Sequence, residues 1–282
     1  MKIPSEAPVS EIPFVAFDTE TTGLDLVEDR LLDVGAMRFR LGHEERAYES
    51  LVRPGRSIPD VSIAIHHITE AMVAHAPPPG QVLAELSRVI DGGVLLAHNA
   101  PFDMAMLTLE LKRQALPVPD VLVLDTCVLA EALMPEEPTL KLGMLMKKFG
   151  SDETNNHRAL PDARCAARLF THVCSRVAGG QPRWSDLIDL HGPAFSLRDF
   201  AALTIQEQWH YAVAINAIEE RRTVKVRMSD NGSSGGGAEF EVRPRGFGMR
   251  QGRWVVLTEK PAQQVFMDRV FKMEKYLPSR QG

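Results

Sequence analysis

Phe14-Val15-Ala16-Phe17 is a continuous apolar run, without alternation, that climbs into Asp18-Thr19-Glu20-Thr21-Thr22-Gly23-Leu24. A short unbroken run of β-branched and aromatic residues predicts a strand covered on both faces, here from Pro13 to Thr19. Residues 31–41 and 45–53 read as two more strands joined by a turn at Gly42-His43, a hairpin with imperfect alternation. Thr69 then caps a short helix, Pro77-Pro78-Pro79 stops it, and residues 80–91 recover a helical period. Gly92-Gly93 introduces a short buried strand, Val94 to Ala97. Residues 101–114 form an amphipathic helix that starts on Pro101, where a missing N–H costs nothing. A fifth strand covers residues 121–124, and Asp125-Thr126 opens another helix. Further helices cover residues 140–149 and 160–177, with a polar loop at 151–158 between them. Strands followed by alternating helices and strands predict a mixed α/β sheet with helices on both faces.

The pattern changes after Gly179-Gly180-Gln181-Pro182, which marks a boundary. Residues 185–202 have weak periodicity and take no assignment from it. Residues 206–222 form a helix, with Trp209, Val213, Ile215 and Ile218 near helical spacing. Short β-rich segments follow at 223–228, 239–243, 246–250, 254–258 and 264–273, and Asn231 to Gly237 is a flexible hairpin tip. The expected organisation is a disordered lead over 1–12, a first domain over 13–178, a linker over 179–204, and a small β-rich domain over 205–282.

Composition narrows the class. Hydrophobic residues make up 44% and charged residues 24% of the chain, ordinary values for a globular protein. No apolar run reaches the length of a membrane span, and the start lacks the basic-then-apolar order of a signal peptide. No membrane partner and a cytoplasmic location are the expectations. Cys127, Cys165 and Cys174 have no metal-ligand spacing and are read as buried free thiols on helices. Net charge is −5, with 17 Lys+Arg and 25 Asp+Glu in residues 1–178 against 15 and 12 in residues 179–282. The acidic front suits a metal site, and the basic rear is the better candidate for attraction to nucleic acid.

The chemistry starts at Asp18 and Glu20, two apart and therefore on one side of a strand end. Carboxylates that close repel each other and raise at least one pKa unless a cation sits between them. Oxygen ligands of this kind suit Mg²⁺ or Mn²⁺. Alone, such a pair is an ordinary solvated strand edge. Asp103, in His98-Asn99-Ala100-Pro101-Phe102-Asp103, stands in the first turn of a helix, where the dipole favours an anion. His157-Arg158-Ala159-Leu160-Pro161-Asp162 puts a histidine in a polar loop and an aspartate in the first turn of the last helix. Each segment by itself reads as capping. Together they bring four carboxylates to a strand end and two helix starts, where an α/β sheet gathers sites. Two metal ions would neutralise four acids and clamp the oxygens of a phosphodiester. An imidazole, which titrates near neutrality, suits removal of a proton from attacking water.

The segments F-D-T-E-T-T-G-L, H-N-A-P-F-D and H-R-A-L-P-D-A resemble the three motifs of the DEDDh 3′–5′ exonucleases, over roughly residues 13–178. The nearest branch is the epsilon proofreading subunit of bacterial DNA polymerase III. I-H-H-I-T resembles that branch's I-H-G-I-T, with His67 in place of the usual glycine. The resemblance implies a ribonuclease H-like fold with a five-stranded mixed sheet and helices on both faces. It implies stepwise hydrolysis of nucleic acid from a free 3′ end, with single-stranded DNA favoured over RNA, releasing nucleoside 5′-monophosphates. Carried over by position, Asp18, Glu20, Asp103 and Asp162 hold two Mg²⁺ or Mn²⁺ ions, and His157 is the general base. Thr19, Thr21 and Leu24 line the terminal nucleotide, while His66, His98, Asn99 and Phe102 flank the site. Phe102 packs either a base or ribose, or the core. Pro161 departs from the pattern, but a proline in a first helical turn is conformationally acceptable.

Residues 214–226, 242–247, 252–257 and 265–270 are similar in order to the WYL domain, an SH3/Sm-like β-fold, with Trp254-Val255-Val256 at its name-giving tripeptide. Eight basic residues between Arg221 and Arg253 read either as solvated outward charges or as a surface that faces phosphates of a single strand or a nucleotide effector. Arg243 and Arg269 match recurring arginines of that domain. The leading expectation is an exonuclease with an accessory nucleic-acid- or ligand-binding domain, with DNA repair among its roles. The alternative is a regulatory nucleic-acid-binding protein whose C-terminal domain senses a ligand. Oligomeric state is not legible.

Overall fold

In the computed structural model, which describes residues 2–149, 157–202, 205–229, 237–250, 253–259 and 265–275, the run at Phe14 becomes an inner strand of the main sheet. β1 (Phe14–Thr21) pairs antiparallel with β2 (Leu31–Arg40) and parallel with β4 (Val94–Ala97). Outside these lie β3 (His43–Leu51), β5 (Leu122–Asp125) and β6 (Phe195–Ser196), in the order β3-β2-β1-β4-β5-β6. A strand flanked and covered on all sides needs no polar face, which is why β1 reads as an unbroken apolar run. The helices are α1 (Asp60–His66), α2 (Glu70–Val73), α3 (Pro79–Ile90), α4 (Ala100–Arg113), α5 (Thr126–Leu133), α6 (Leu142–Lys148), α7 (Ala159–Arg176), α8 (Trp184–His191) and α9 (Ile205–Glu219).

Phe14 and Ala16 share a face of β1 with Asp18 and Glu20. Helix α7 covers that face. Phe170 meets Phe14 with 4.6 Å between ring centres, and Phe39 of β2 completes the cluster. The start of α7 lies against Gly35 so closely that a Cβ there would sit 2.2 Å from the Ala159 carbonyl carbon. That approach sets the position of Asp162, one turn into the helix. On the other face, Arg38 of β2 donates to the Val89 carbonyl of α3, and α3 packs against α4.

Three expectations need correction. The sheet has six strands, because Phe195-Ser196 adds antiparallel to β5. Two residues carry no alternation for a sequence reading to detect. Residues 179–204, expected as a linker, supply α8, β6 and a 3₁₀ segment over Leu197–Ala202, with Leu187, Phe195 and Phe200 buried. The lead over residues 1–12 is not a free tail from Lys2 onward. Val9 donates its N–H to Pro182, Trp184 to Ala7 and Ser185 to Ser5, and Val9 is fully buried. Backbone pairing of that kind leaves no trace in composition.

The C-terminal part holds two three-stranded sheets beside α9. One is β11 (Val265–Phe266), β10 (Arg253–Thr258) and β9 (Pro244–Arg250); the other is β12 (Val270–Lys275), β7 (Val224–Met228) and β8 (Glu239–Val242). It is β-rich as expected, but it does not stand apart. Trp254 packs between Phe195 and Phe200, at 5.2 and 4.9 Å between ring centres, so one core runs from the main sheet into these strands. Trp254, Val255 and Val256 are all buried, Trp254 and Val256 within that core. The glycine-rich tip and most of the polar loop before His157 lie outside the described residues. No described helix is long and apolar enough to cross a membrane, and the three cysteines are free and buried, as expected.

Candidate active site

The far end of β1 carries the chemistry. Its pairing with β2 shifts register between Glu20 and Thr21, an irregularity of the sort that re-aims side chains beside sites. Asp18 and Glu20 are half-buried there. Asp103 comes from the first turn of α4, where its Oδ1 accepts the Thr19 N–H at 3.0 Å and the Thr19 hydroxyl at 2.7 Å. Asp162 comes from the first turn of α7, and its N–H donates to the Arg158 carbonyl at 3.1 Å. Pro161 sits within that turn without breaking it. Ligand atoms of Glu20, His157 and Asp162 lie within 4.8 Å of one another.

Packing acids this densely has an electrostatic cost. Burial, then the charges of Asp103, Glu20 and Asp162, push Asp18 well above the usual carboxylate range. Burial, then Asp162 and Asp103, push Glu20 up to about 8, against a small opposing pull from Arg158. Burial raises Asp103 to about 7 even though the two Thr19 hydrogen bonds favour its ionised form. The residues therefore fit a divalent cation on their own chemistry. Oxygen donors and an imidazole surround a point where negative charge is crowded, and the nearby guanidinium of Arg158 is directed elsewhere, to Asp33 at 2.7 Å and Glu49 at 3.1 Å.

These groups line a cleft of about 650 Å³. Of the flanking residues expected from sequence, Thr19, Leu24, His98, Asn99 and Phe102 line it; Thr21 and His66 do not. Thr21 gives its hydroxyl to the Gly23 carbonyl at 2.6 Å, and so shapes the turn that leads to Leu24. His98 is a brace rather than a free contact, with Nδ1 on the Thr126 hydroxyl at 3.0 Å and Nε2 on the Leu140 carbonyl at 2.7 Å. Burial lowers its pKa to about 4, which keeps the ring neutral for that role. His66 is buried beside the cleft and accepts the Ile68 N–H at 3.0 Å. His67 takes φ 60°, the left-handed conformation that glycine adopts freely. The glycine of the I-H-G-I-T pattern therefore answers to a backbone demand, which histidine meets here. Arg243 and Arg269 are absent from the cleft lining; Arg243 is paired with Glu259 at 2.7 Å, and Arg269 is exposed.

Several lining residues lie outside the motifs: Leu26, Lys141 to Met144, and Ile215, Asn216 and Glu219 of α9. Asp125 is a further buried acid, raised to about 7 mainly by burial. It accepts the N–H groups of Cys127 at 2.8 Å and Asn99 at 3.0 Å, tying the start of α5 to the His98–Asp103 turn. The sequence marked it only as a helix opener. Asp33 of β2 is buried and holds Arg158, the neighbour of His157, and the Ala159 N–H at 3.3 Å.

Comparison with known proteins places this geometry. A family model described as Exonuclease matches residues 15–170. The DNA polymerase III subunit epsilon of Treponema pallidum (strain Nichols) is 39% identical over 172 residues, spanning 59% of this chain and 79% of that protein. An epsilon-like protein of Rhodobacter capsulatus is 37% identical over 177 residues, 60% of this chain but only 25% of that protein. Among solved structures, E. coli Exonuclease I in complex with a dA16 oligonucleotide aligns with a TM-score of 0.56 at 17% identity. That likeness of fold covers 88% of this chain and 55% of the other, more of this chain than the family model reaches. With its mixed α/β, ribonuclease H-like sheet and the acids gathered at the end of β1, the chain belongs to the exonuclease family.

Proposed function

We propose that the chain is a Mg²⁺- or Mn²⁺-dependent exonuclease of the DEDDh kind, which removes nucleotides singly from a free 3′ end. The substrate is single-stranded nucleic acid, DNA in preference to RNA, and the products are nucleoside 5′-monophosphates. The observation that supports this most is the meeting of Glu20, His157 and Asp162 within 4.8 Å, from segments more than a hundred residues apart. The preference for DNA leans on the Treponema relative, which is named as a DNA polymerase subunit.

Asp18, Glu20, Asp103 and Asp162 would hold the ions. When bound, these supply charge compensation for the acids and Lewis-acid contact to phosphodiester oxygens. The rest falls to the chain. Thr19 fixes Asp103 through its N–H and hydroxyl, so that carboxylate is oriented before substrate arrives. His157 takes a proton from the attacking water. The water oxygen joins the last phosphorus and the bond from that phosphorus to the preceding 3′ oxygen breaks; that oxygen keeps the electron pair and takes up a proton as the new 3′ hydroxyl, and the terminal nucleotide leaves with its 5′-phosphate. Leu24 and Phe102 offer apolar surface to its base or sugar, and Asn99 stands beside them.

Incubating 5′-labelled single-stranded DNA and RNA with Mg²⁺, Mn²⁺ or EDTA tests the reading. Ladders that shorten from the 3′ end, faster on DNA and absent in EDTA, are expected. Binding without shortening would leave the chain a nucleic-acid-binding protein and overturn the enzyme reading.

A further inference from the structure

Among the described residues, the cleft is lined by five acids, Asp18, Glu20, Asp103, Asp162 and Glu219, and by Lys141 as the only lysine or arginine. Basic side chains, the usual source of nucleic-acid affinity through phosphates, are thus scarce among the described residues of these walls. What the walls do offer is apolar and amide surface. Leu24 and Met144 are 66% and 56% exposed, large values for apolar side chains in a cleft, and Leu26, Phe102, Ile215 and Asn216 join them. Such surfaces suit bases and sugars, which stack or hydrogen-bond without regard to phosphate charge.

Ile215 and Asn216 belong to α9, on the far side of the expected domain boundary. Their position is nonetheless fixed by the exonuclease part. The Glu219 carbonyl accepts the Leu140 N–H and the Thr139 hydroxyl, each at 2.8 Å, and the Glu219 carboxylate accepts from the Asn99 side chain. Just beyond the helix, Arg221 pairs with Glu131 of α5 at 2.7 Å, both side chains being about one-tenth exposed or less, and donates to the Met134 carbonyl at 2.8 Å. Arg245 of β9 takes the other oxygen of Glu131 at 3.0 Å. Beside it, a Cβ on Gly246 would lie 2.7 Å from a Val128 methyl, so the strand can approach α5 closely. A buried carboxylate shared by two guanidiniums contributes more to a single geometry than to net stability. Here the geometry it fixes is that of α9 over the cleft.

We propose that α9 is the wall against which the 3′-terminal nucleotides of the substrate lie. Ile215 covers a base or sugar, with Asn216 beside it on the same wall. The C-terminal part thus sets affinity for the strand through bases and sugars, not as a separate phosphate-binding module. This rests on the exonuclease reading and adds the part of the substrate that the wall grips.

Steady-state kinetics of the full chain on a single-stranded oligodeoxynucleotide with Mg²⁺ test it, comparing Ile215→Ala, Asn216→Ala and Asn216→Trp. Losing apolar contact at Ile215 is expected to raise KM about tenfold. Asn216→Ala raises KM less, and Asn216→Trp, which fills the mouth from an exposed position, raises it most. In all three kcat falls by no more than about twofold, as expected when uniform binding is removed. Raising NaCl from 50 to 200 mM should change the KM of the unmodified chain by less than about tenfold, against the 10³–10⁵-fold typical of proteins that neutralise six to ten phosphates. Unchanged KM in both Ile215→Ala and Asn216→Trp, a fall in kcat alone, or a steep salt dependence overturns the proposal. If the unmodified chain does not shorten the strand at all, the exonuclease reading fails and takes this one with it; shortening with unaltered KM in the variants sinks this one alone.

Discussion

The floor of the cleft and its α9 wall are built by contrary rules. The floor crowds Asp18, Glu20, Asp103 and Asp162 onto one strand end and two helix starts, where burial and neighbouring acids drive the pKa values of Asp18 and Glu20 upward and burial raises that of Asp103. The wall carries Ile215 and Asn216, held in place by ion pairs and carbonyl contacts outside the cleft. The floor is poised for a cation at the expense of its own stability, whereas the wall is settled before anything binds. Reactivity, on this comparison, comes from short segments at the ends of rigid elements. Grip comes from long-range packing that brings a distant helix alongside.

Breaking the floor should have the largest effect. Asp18→Ala or Asp103→Ala is expected to reduce nuclease activity to background, since compensation of charge on the reacting phosphate is lost. A folded far-ultraviolet spectrum would accompany that loss. His157→Ala is expected to lower kcat by about 10²–10⁴-fold and to keep more activity than either aspartate variant. Equal and modest losses in both classes would break the division of roles. A smaller effect is expected one step back. Arg158→Ala removes the tie to Asp33 that holds the segment beside His157, and a displaced base should cost kcat about 10–10²-fold with KM little changed. Arg158→Lys should recover only part of the loss, because one ammonium cannot reproduce the guanidinium's contacts to both Asp33 and Glu49; recovery of most of it would indicate a purely electrostatic role.

The smallest effect is on stability, and its sign distinguishes floor from wall. Carboxylates whose folded pKa lies above the unfolded value bind protons more readily in the folded state, so they stabilise it at low pH. That stability is lost as pH rises from about 4 through the folded values, near 7 for Asp103 and near 8 for Glu20. In EDTA, the Tm contribution of these acids should decline between pH 5 and 8.5. Comparison with Glu20→Gln isolates it, because the variant should lose less over that window. Added Mn²⁺ should raise Tm more at pH 8.5 than at pH 5. Asn216→Ala, on the wall, should leave the Tm profile as it is in the unmodified chain.

The same contrast decides what the sequence could disclose. Asp18, Glu20, Asp103 and Asp162 were legible as candidates because each lies at a strand end or first helical turn that already sets its direction, and His157 because it shares a short segment with Asp162. Most strands and helices before Val177, though not α1, were legible for a related reason, since continuous apolar runs and helical periods report burial directly. What escaped depends on partners far along the chain. Phe195-Ser196 is too short to show a period, and becomes a strand only because β5 has an open edge. Val9 is buried by segments near residue 182, which no local pattern announces. His98 was expected to flank the site and does line the cleft, but its ring nitrogens meet Thr126 and Leu140, a bracing role that no local pattern announces. The rear basic residues read either as solvated outward charges or as a phosphate-facing surface, and the sequence could not show that Arg227, Arg243 and Arg245 pair with Glu239, Glu259 and Glu131. Ile215 was read as one more core position of a helix, and nothing local distinguishes a core-facing isoleucine from one that also lines a cleft.

Anomalous diffraction from crystals of the full chain grown with Mn²⁺ and a nucleoside 5′-monophosphate is the most direct measurement of whether the floor is a cation site. The predicted result is manganese density bracketed by Asp18, Glu20, Asp103 and Asp162, with His157 beside the phosphate and the nucleoside against Leu24 and Ile215. Manganese bound elsewhere, or none at these acids in crystals that bind the nucleotide, would contradict it.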